Sequence, residues 1–185
     1  MPTPTINSFS FSTGGKISSQ STSGSGTLGW HLTEDILGNA WSVAIWIKPT
    51  NTFASANNII FCKNTSSASD CQIYFSIVNG ASLHIGVNGP SSSISTAYTF
   101  SIGTWYHVSA TYDGNTVALY INGELKKTGT VTTAYPGAKL NMQLKNRANS
   151  AAGTGGGASA AAAYAMNDFR LYNHALSAAE VKEIS

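Results

Sequence analysis

The chain has 185 residues, of which only 10% are charged, and its formal net charge is +2. That length suits one sandwich or barrel and is short for two domains, so we expect a single domain over residues 1–185. The few Lys and Arg residues are scattered, which excludes tracking of a phosphate backbone, and we expect no nucleic-acid partner. Ser, Thr, Gly, Ala and Asn replace the charged residues, which predicts a neutral, hydroxyl-rich surface.

The amino terminus has neither the basic nor the apolar region of an export signal, because it begins Met1-Pro-Thr-Pro-Thr. No run approaches the roughly 18 apolar residues that a membrane span needs. We therefore expect a soluble protein with no signal peptide in this chain and no membrane insertion.

Alternating apolar and polar residues predict the first strands. In residues 1–30, only the alternation at Phe9 and Phe11 predicts a strand, at a sheet edge, and the rest reads as loop. The segment Trp41 to Lys48 predicts a strand that ends at Pro49, since proline lacks the ladder donor. One face of that strand carries Val43, Ile45 and Ile47, and the other carries Ala44 and Trp46.

Short strands continue along most of the remaining chain. Besides the hairpin described below, we predict them at Asn58 to Lys63, Gln72 to Val78, Ser82 to Val87, Ala97 to Ile102, Glu124 to Thr130, Lys139 to Leu144 and Ala165 to Tyr172. Ten or more short strands spaced by turns favour an all-β, two-sheet antiparallel sandwich over a helical or α/β fold.

Two cysteines, Cys62 and Cys71, bracket a polar stretch between two apolar runs. They could face each other across a hairpin and form a disulfide. They could equally be two small buried thiols, because two cysteines do not make a disulfide framework.

The segment Gly103 to Leu125 predicts a β-hairpin. Asp113-Gly114-Asn115 and Asn122-Gly123 supply residues that accept the positive φ of tight turns. Alternation splits the first strand into two sets. One set is Tyr106, Val108, Ala110 and Tyr112, and the other is Trp105, His107, Ser109 and Thr111.

The carboxyl terminus predicts one short helix. Ser177 and Glu180 have the spacing of a capping box, and Leu176 could pack on Val181 as a hydrophobic staple. Before it, residues 150–163 are low in complexity and lack large side chains. That segment is either a surface connection or a loop packed closely against a neighbour.

Three segments resemble the laminin-G-like jelly rolls of the concanavalin A-like lectin and glucanase superfamily. They are Trp41 to Pro49, Gly103 to Gly114 with Leu119 to Gly123, and Met166 to Ile184. The resemblance implies one jelly-roll domain with a core of about residues 9–184 and an amino-terminal arm of residues 1–8. It also implies a short C-terminal helix.

The chain departs from this family at several positions. It has Phe11-Ser-Thr-Gly14 where the family often has Phe-Asp-Gly, and Asn122-Gly123 where the hairpin often has Asp-Gly. Many relatives bind calcium through an acidic residue and loop carbonyls, to which Asn64 and Asp70 could contribute here. A stable calcium site needs several carboxylates, so we expect no cofactor.

The acidic residues do not form a catalytic pair, so we expect no enzyme activity. Glucanases of the superfamily use two carboxylates on one strand, about 5 Å apart. Glu34 and Asp35 are adjacent, and Glu180 and Glu183 lie on the helix. The other acids stand singly, at Asp70, Asp113, Glu124 and Asp168. No Ser-His-Asp triad is apparent in the sequence. The histidines do not have metal-ligand spacing, and they are His31, His84, His107 and His174.

A non-catalytic carbohydrate-binding or adhesion module is the function that the resemblance favours, because aromatic faces with hydroxyl and amide partners suit sugars. By alternation, Trp46, His107, Tyr120 and Arg170 share a side of their strands opposite the apolar one, and are the candidate ligand-binding residues. Asp168 and Tyr172 share the side of Arg170. Alternatively, His107, Asp168 and Arg170 form a satisfied polar network under the helix, with Trp46 covered by a loop.

A structural or decorating protein of a phage virion is the alternative, since such a protein leaves the cell by lysis and needs no export signal. Its partners would be a host surface, other virion proteins or further copies of this chain. In either case we expect an extracellular or virion-surface location.

Overall fold

The computed structural model describes residues 10–11, 17–19, 28–31, 37–50, 57–64, 71–87, 93–131, 141–144 and 164–185. These residues form strands and one short helix. In chain order they are β1 (Ser10–Phe11), β2 (Ile17–Ser19), β3 (Leu28–His31), β4 (Trp41–Pro49), β5 (Asn57–Asn64), β6 (Cys71–Val78), β7 (Ser82–Val87), β8 (Ser93–Ala97), β9 (Tyr106–Tyr112), β10 (Thr116–Ile121), β11 (Glu124–Thr130), β12 (Asn141–Leu144), β13 (Tyr164–Tyr172) and α1 (Ala178–Glu183).

The strands form two antiparallel sheets. The seven-stranded sheet has the order β1-β2-β13-β4-β9-β10-β11, and the six-stranded sheet has the order β3-β12-β5-β6-β7-β8. Non-consecutive neighbours such as β13 and β4 show that the chain crosses repeatedly between the layers. The predicted all-β sandwich with a short C-terminal helix is confirmed.

The core lies between the two sheets. Val43, Ile45 and Ile47 are fully buried on the inner side of β4, as their alternation predicts. The rings of Phe61 and Phe169, which come from different sheets, lie 5.3 Å apart across the core. Burying these apolar side chains between the layers is the main stabilisation of the sandwich.

Both predicted turns of the hairpin are present. Asn122 and Gly123 have φ values of 51° and 74°, the left-handed pair that a two-residue hairpin turn needs. The Asn122 side chain also accepts a hydrogen bond from the His107 amide at 2.9 Å. The turn residue therefore holds the backbone of β9 at His107.

Strand β13 contains a bulge that alternation cannot reveal. Asn167 pairs with Trp46, but Arg170 pairs with Ala44, so two residues of β13 oppose one residue of β4. Asp168 lies at this bulge and has a positive φ of 48°. The bulge lets Phe169 enter the core while Asp168 and Arg170 remain in contact on the other side.

The C-terminal segment crosses the seven-stranded sheet on the side away from the core. The Ser42 hydroxyl donates to the His174 carbonyl at 2.9 Å and accepts from the Leu176 amide at 2.8 Å. The predicted capping box of Ser177 and Glu180 then begins the helix. A second apolar cluster forms beneath the helix and includes the predicted staple pair, its buried members being Ala118, Tyr120, Tyr172, Leu176 and Val181.

Several strand predictions were wrong. A strand was expected at Ala97 to Ile102, but the observed strand β8 lies earlier and ends at Ala97. After it, the amides of Tyr98 and Phe100 donate to carbonyls of the β6–β7 turn, and their rings contact Tyr106 edge-on. The amino-terminal stretch expected to be loop contains β2 and β3. Sheet pairing supplies those strands, since their own sequence lacks a strong alternation.

The register also gives the backbone positions of the two cysteines. Strands β5 and β6 do pair, but Cys62 lies opposite Tyr74, and Cys71 lies opposite Asn64. The two cysteines are thus offset on neighbouring strands. The amino-terminal arm, Phe9, Glu34, Asp35, Asp70 and residues 150–163 lie outside the described residues.

Candidate functional site

The outer face of the seven-stranded sheet, meaning its side away from the core, divides into two zones. The helix and the segment before it cover one zone, where Ser42 and Tyr120 are buried. The other zone, which we call the open outer face, holds Trp46, Lys48, Trp105, Asn167 and the Asp168–Arg170 pair, none of which is fully buried. The candidate site lies there.

Trp46 and His107 are the centre of the open outer face. They are paired residues of β4 and β9, and their ring centroids are 5.4 Å apart at an interplanar angle of 58°. Trp46 is partly exposed, whereas His107 is only 1% exposed. The two rings are therefore in contact, and the indole is the more exposed of the two.

Burial makes His107 a neutral side chain. Desolvation, and to a smaller extent the nearby Arg170 guanidinium, lower the pKa of His107 from 6.5 to about 4, although the Asp168 carboxylate opposes both. Its Nδ1 has no hydrogen-bond partner within the described part of the chain. Among the described residues, the alternative network of His107, Asp168 and Arg170 therefore lacks a partner for this nitrogen.

Asp168 and Arg170 form an ion pair beside the aromatic pair. The Arg170 Nε donates to the Asp168 carboxylate at 2.8 Å, and one Nη also contacts it. The Asp168 and Arg170 side chains are 31% and 22% exposed, so both are partly open to solvent, and Arg170 also hydrogen-bonds Tyr172. Arg170 can donate and Asp168 can accept further hydrogen bonds from a ligand.

Trp105 and Lys48 extend this surface beyond the predicted residues. The Trp105 ring is 39% exposed, and the Lys48 ammonium lies 5.2 Å from its centroid. The Gly103 amide donates to the Pro49 carbonyl at 2.8 Å, which ties the loop before Trp105 to the end of β4. Alternation placed Trp105 on the side of His107, but its exposure could not be read from the sequence.

Tyr120 lies apart from the other predicted site residues. It is 5% exposed and belongs to the apolar cluster beneath the helix. Of the four predicted ligand-binding residues, the structure brings Trp46, His107 and Arg170 into one neighbourhood. Their role in binding remains a prediction.

The described residues show no group of three or more His, Cys, Asp and Glu side chains that could hold a metal ion. Asp113 accepts hydrogen bonds from the amides of Asn115 and Thr116 within its turn, and Glu124 pairs with Lys126.

Within the described residues, no helix is long and apolar enough to cross a membrane.

Solved structures show where this fold recurs. A native heptameric SAP-like pentraxin from Limulus polyphemus superposes with a TM-score of 0.69 at 23% identity, over 85% of this chain and 74% of that chain. A botulinum neurotoxin type C, whose cell entry is dependent on interaction with two ganglioside molecules, gives 0.59 at 16% identity, over 91% and 42%. A Trypanosoma rangeli sialidase gives 0.65 at 12% identity, over 91% and 26%.

The chain therefore spans most of the pentraxin but less than half of the toxin and sialidase chains. At these identities the similarity establishes the fold alone. A comparison with curated proteins found no match. A laminin G family of the concanavalin A-like lectin/glucanases superfamily matches residues 13–182. Because this match covers nearly the whole sequence, the chain belongs to that superfamily.

Proposed function

We propose that the protein is a non-catalytic carbohydrate-binding module that works in adhesion, and that the open outer face binds the glycan. The observation that carries the proposal is the partly exposed Trp46, whose ring contacts a buried, neutral His107. An indole held in this way presents a flat apolar surface against which the C–H side of a pyranose can stack.

Polar partners for sugar hydroxyls surround this indole. Asn167 is exposed and lies opposite Trp46 on β13, so its amide can both donate and accept. Arg170 and Asp168 add a charged donor and a charged acceptor on the same strand. An apolar platform with a few polar groups around it is the usual composition of a small-molecule site.

The non-catalytic part of the proposal rests on the carboxylates near the platform. Most glycoside hydrolases use two carboxyl groups, about 5 to 9 Å apart, on either side of the scissile bond. On the open outer face, Asp168 is paired with a guanidinium instead of a second carboxyl group. Glycan binding in a superfamily that is named for both lectins and glucanases is thus the better-supported activity.

A glycan array tests this proposal. Wild-type protein should retain a defined subset of glycans, and Trp46→Ala should lose that retention. Leu125→Ala is the matched control, because it removes an exposed apolar side chain from β11, outside the open outer face. Retention by Trp46→Ala equal to that of wild type would overturn the proposal.

We also propose that the module acts outside the cell or on a virion surface, where it contacts host glycans. One similar structure is a heptamer, and assembly of this chain with itself or with virion proteins is part of the same proposal. Size-exclusion chromatography with light scattering measures the self-assembly. A monomer at all concentrations would remove the homo-oligomer from it.

A further inference from the structure

The open outer face has a second aromatic surface that a single sugar on Trp46 would leave unused. Trp46 pairs with His107, and Trp105, directly before β9, continues the alternation that places His107 on the outer side. Residues in this diagonal relationship are about 7–8 Å apart. Two platforms at that separation extend over more than one pyranose ring.

Trp105 is held in place for such a role. The bond from the Gly103 amide to the Pro49 carbonyl fixes the preceding loop, and Lys48 packs its ammonium over the indole. Trp105 is one of three large apolar side chains that are exposed among the described residues, the others being Ile102 in that same loop and Leu125. The neighbouring Ile102 and Trp105 together leave apolar surface that a ligand could cover.

The charges of the open outer face are not symmetrical. Asp168 neutralises Arg170, and His107 is uncharged at neutral pH. In contrast, no carboxylate among the described residues pairs with Lys48, whose ammonium lies over the Trp105 ring. Among the described residues, the Trp105 end of the surface therefore carries the Lys48 charge without a paired carboxylate.

We infer that the ligand is an acidic oligosaccharide of at least two sugars. One sugar stacks on Trp46, and a second, which bears a carboxylate or sulfate, lies at Trp105 with its anionic group near Lys48. This inference rests on the proposed function, because it extends the Trp46 site. It adds chain length and charge as the determinants of specificity.

The test is an array of glucan, galactan and mannan backbones, each from one to six sugars long, printed in neutral form and with C6 oxidised to the carboxylate. Wild-type protein should prefer acidic chains of two or more sugars. Trp105→Ala should weaken binding of acidic tetrasaccharides about tenfold and leave monosaccharides unchanged. Leu125→Ala should leave both unchanged.

The charge is tested separately by Lys48→Gln. It should weaken acidic tetrasaccharides by about three- to fivefold and neutral ones less, because only the acidic chains lose a charge contact. Lys127→Gln, which removes an exposed lysine of β11, is the matched control. Added salt should reproduce the effect of Lys48→Gln on the wild-type protein.

The outcomes separate this inference from the proposed function. If Trp46→Ala abolishes binding but neither chain length nor C6 oxidation matters, the glycan site stands and the acidic oligosaccharide is wrong. If wild-type protein binds no glycan, both are wrong. A preference for acidic chains that Lys48→Gln does not change would also overturn the inference.

Discussion

Trp46 on β4 and His107 on β9 are directly opposed in the seven-stranded sheet, with their rings 5.4 Å apart. The indole is partly exposed, and the imidazole beneath it is almost fully buried. The two rings therefore contact each other, and the indole is one of the groups beside the buried imidazole. This relationship connects the candidate binding surface to the pH dependence of folding.

The stability of the protein should fall as the solution becomes mildly acidic. The pKa of His107 is about 4 in the folded protein and near its ordinary value of 6.5 in the unfolded chain. The unfolded state thus binds the proton first, and stability that is present above the unfolded pKa is lost as pH falls towards about 4. Between about pH 7.5 and about pH 5 the loss should be about 2 kcal/mol.

Urea unfolding at several pH values measures this loss. The variant His107→Gln cannot titrate, so its free energy of unfolding should change less over the same range. His84, whose pKa is also lowered by burial, contributes in the same direction in both proteins. The difference between the two proteins isolates His107, and equal pH profiles would contradict the prediction.

Removing the Trp46 indole should raise the pKa of His107 towards its ordinary value. Desolvation is the largest cause of its lowered pKa, and in Trp46→Ala water can reach the imidazole. NMR titration of the His107 ring should show a pKa well above the wild-type value. Trp46→Phe keeps an aromatic cover and should shift the pKa less. An unchanged pKa in Trp46→Ala would mean that other groups keep His107 dry.

Two buried serines on the outer face should respond oppositely to alanine. Ser42 is fully buried and bonds both the His174 carbonyl and the Leu176 amide, so Ser42→Ala leaves two backbone groups without this partner. The expected loss is about 1–3 kcal/mol of unfolding free energy. Loss of less than a few tenths would show that the C-terminal segment rebinds elsewhere.

Ser109 is the matched control for that substitution. It is equally buried, but its hydroxyl has no hydrogen-bond partner in the described part of the chain. Ser109→Ala removes an unsatisfied polar group, so it should be neutral or slightly stabilising in the same urea experiment. A large destabilisation would reveal a partner for this hydroxyl.

The helix cap should contribute measurably to stability. Ser177→Ala removes the side-chain acceptor for the Glu180 amide, and about 1 kcal/mol of unfolding free energy should be lost. Hydrogen exchange at the Val181 amide should accelerate, because the helix frays. Ser177→Thr retains the hydroxyl and should stay within a few tenths of wild type. Equal exchange in Ser177→Ala would show that packing alone holds the helix.

Features of the fold with a short sequence period could be predicted without the structure. The inward set Val43, Ile45 and Ile47, the turn Asn122-Gly123 and the capping box at Ser177 all depend on residues within a few positions of one another. The candidate site was predictable only in part. Alternation placed Trp46, His107 and Tyr120 on one side of the sheet. It could not predict that the C-terminal helix covers Tyr120 on that side.

By itself, the sequence determined the two-sheet sandwich and the side of each strand that faces the core, because strand alternation and turn chemistry are local properties. Tertiary structure alone decided which outward residues stay accessible. It buried Tyr120 under α1, shifted β13 by a bulge at Asp168, and left Trp105 exposed beside Lys48. Accessibility depends on which distant segments pack together, and no local pattern encodes that.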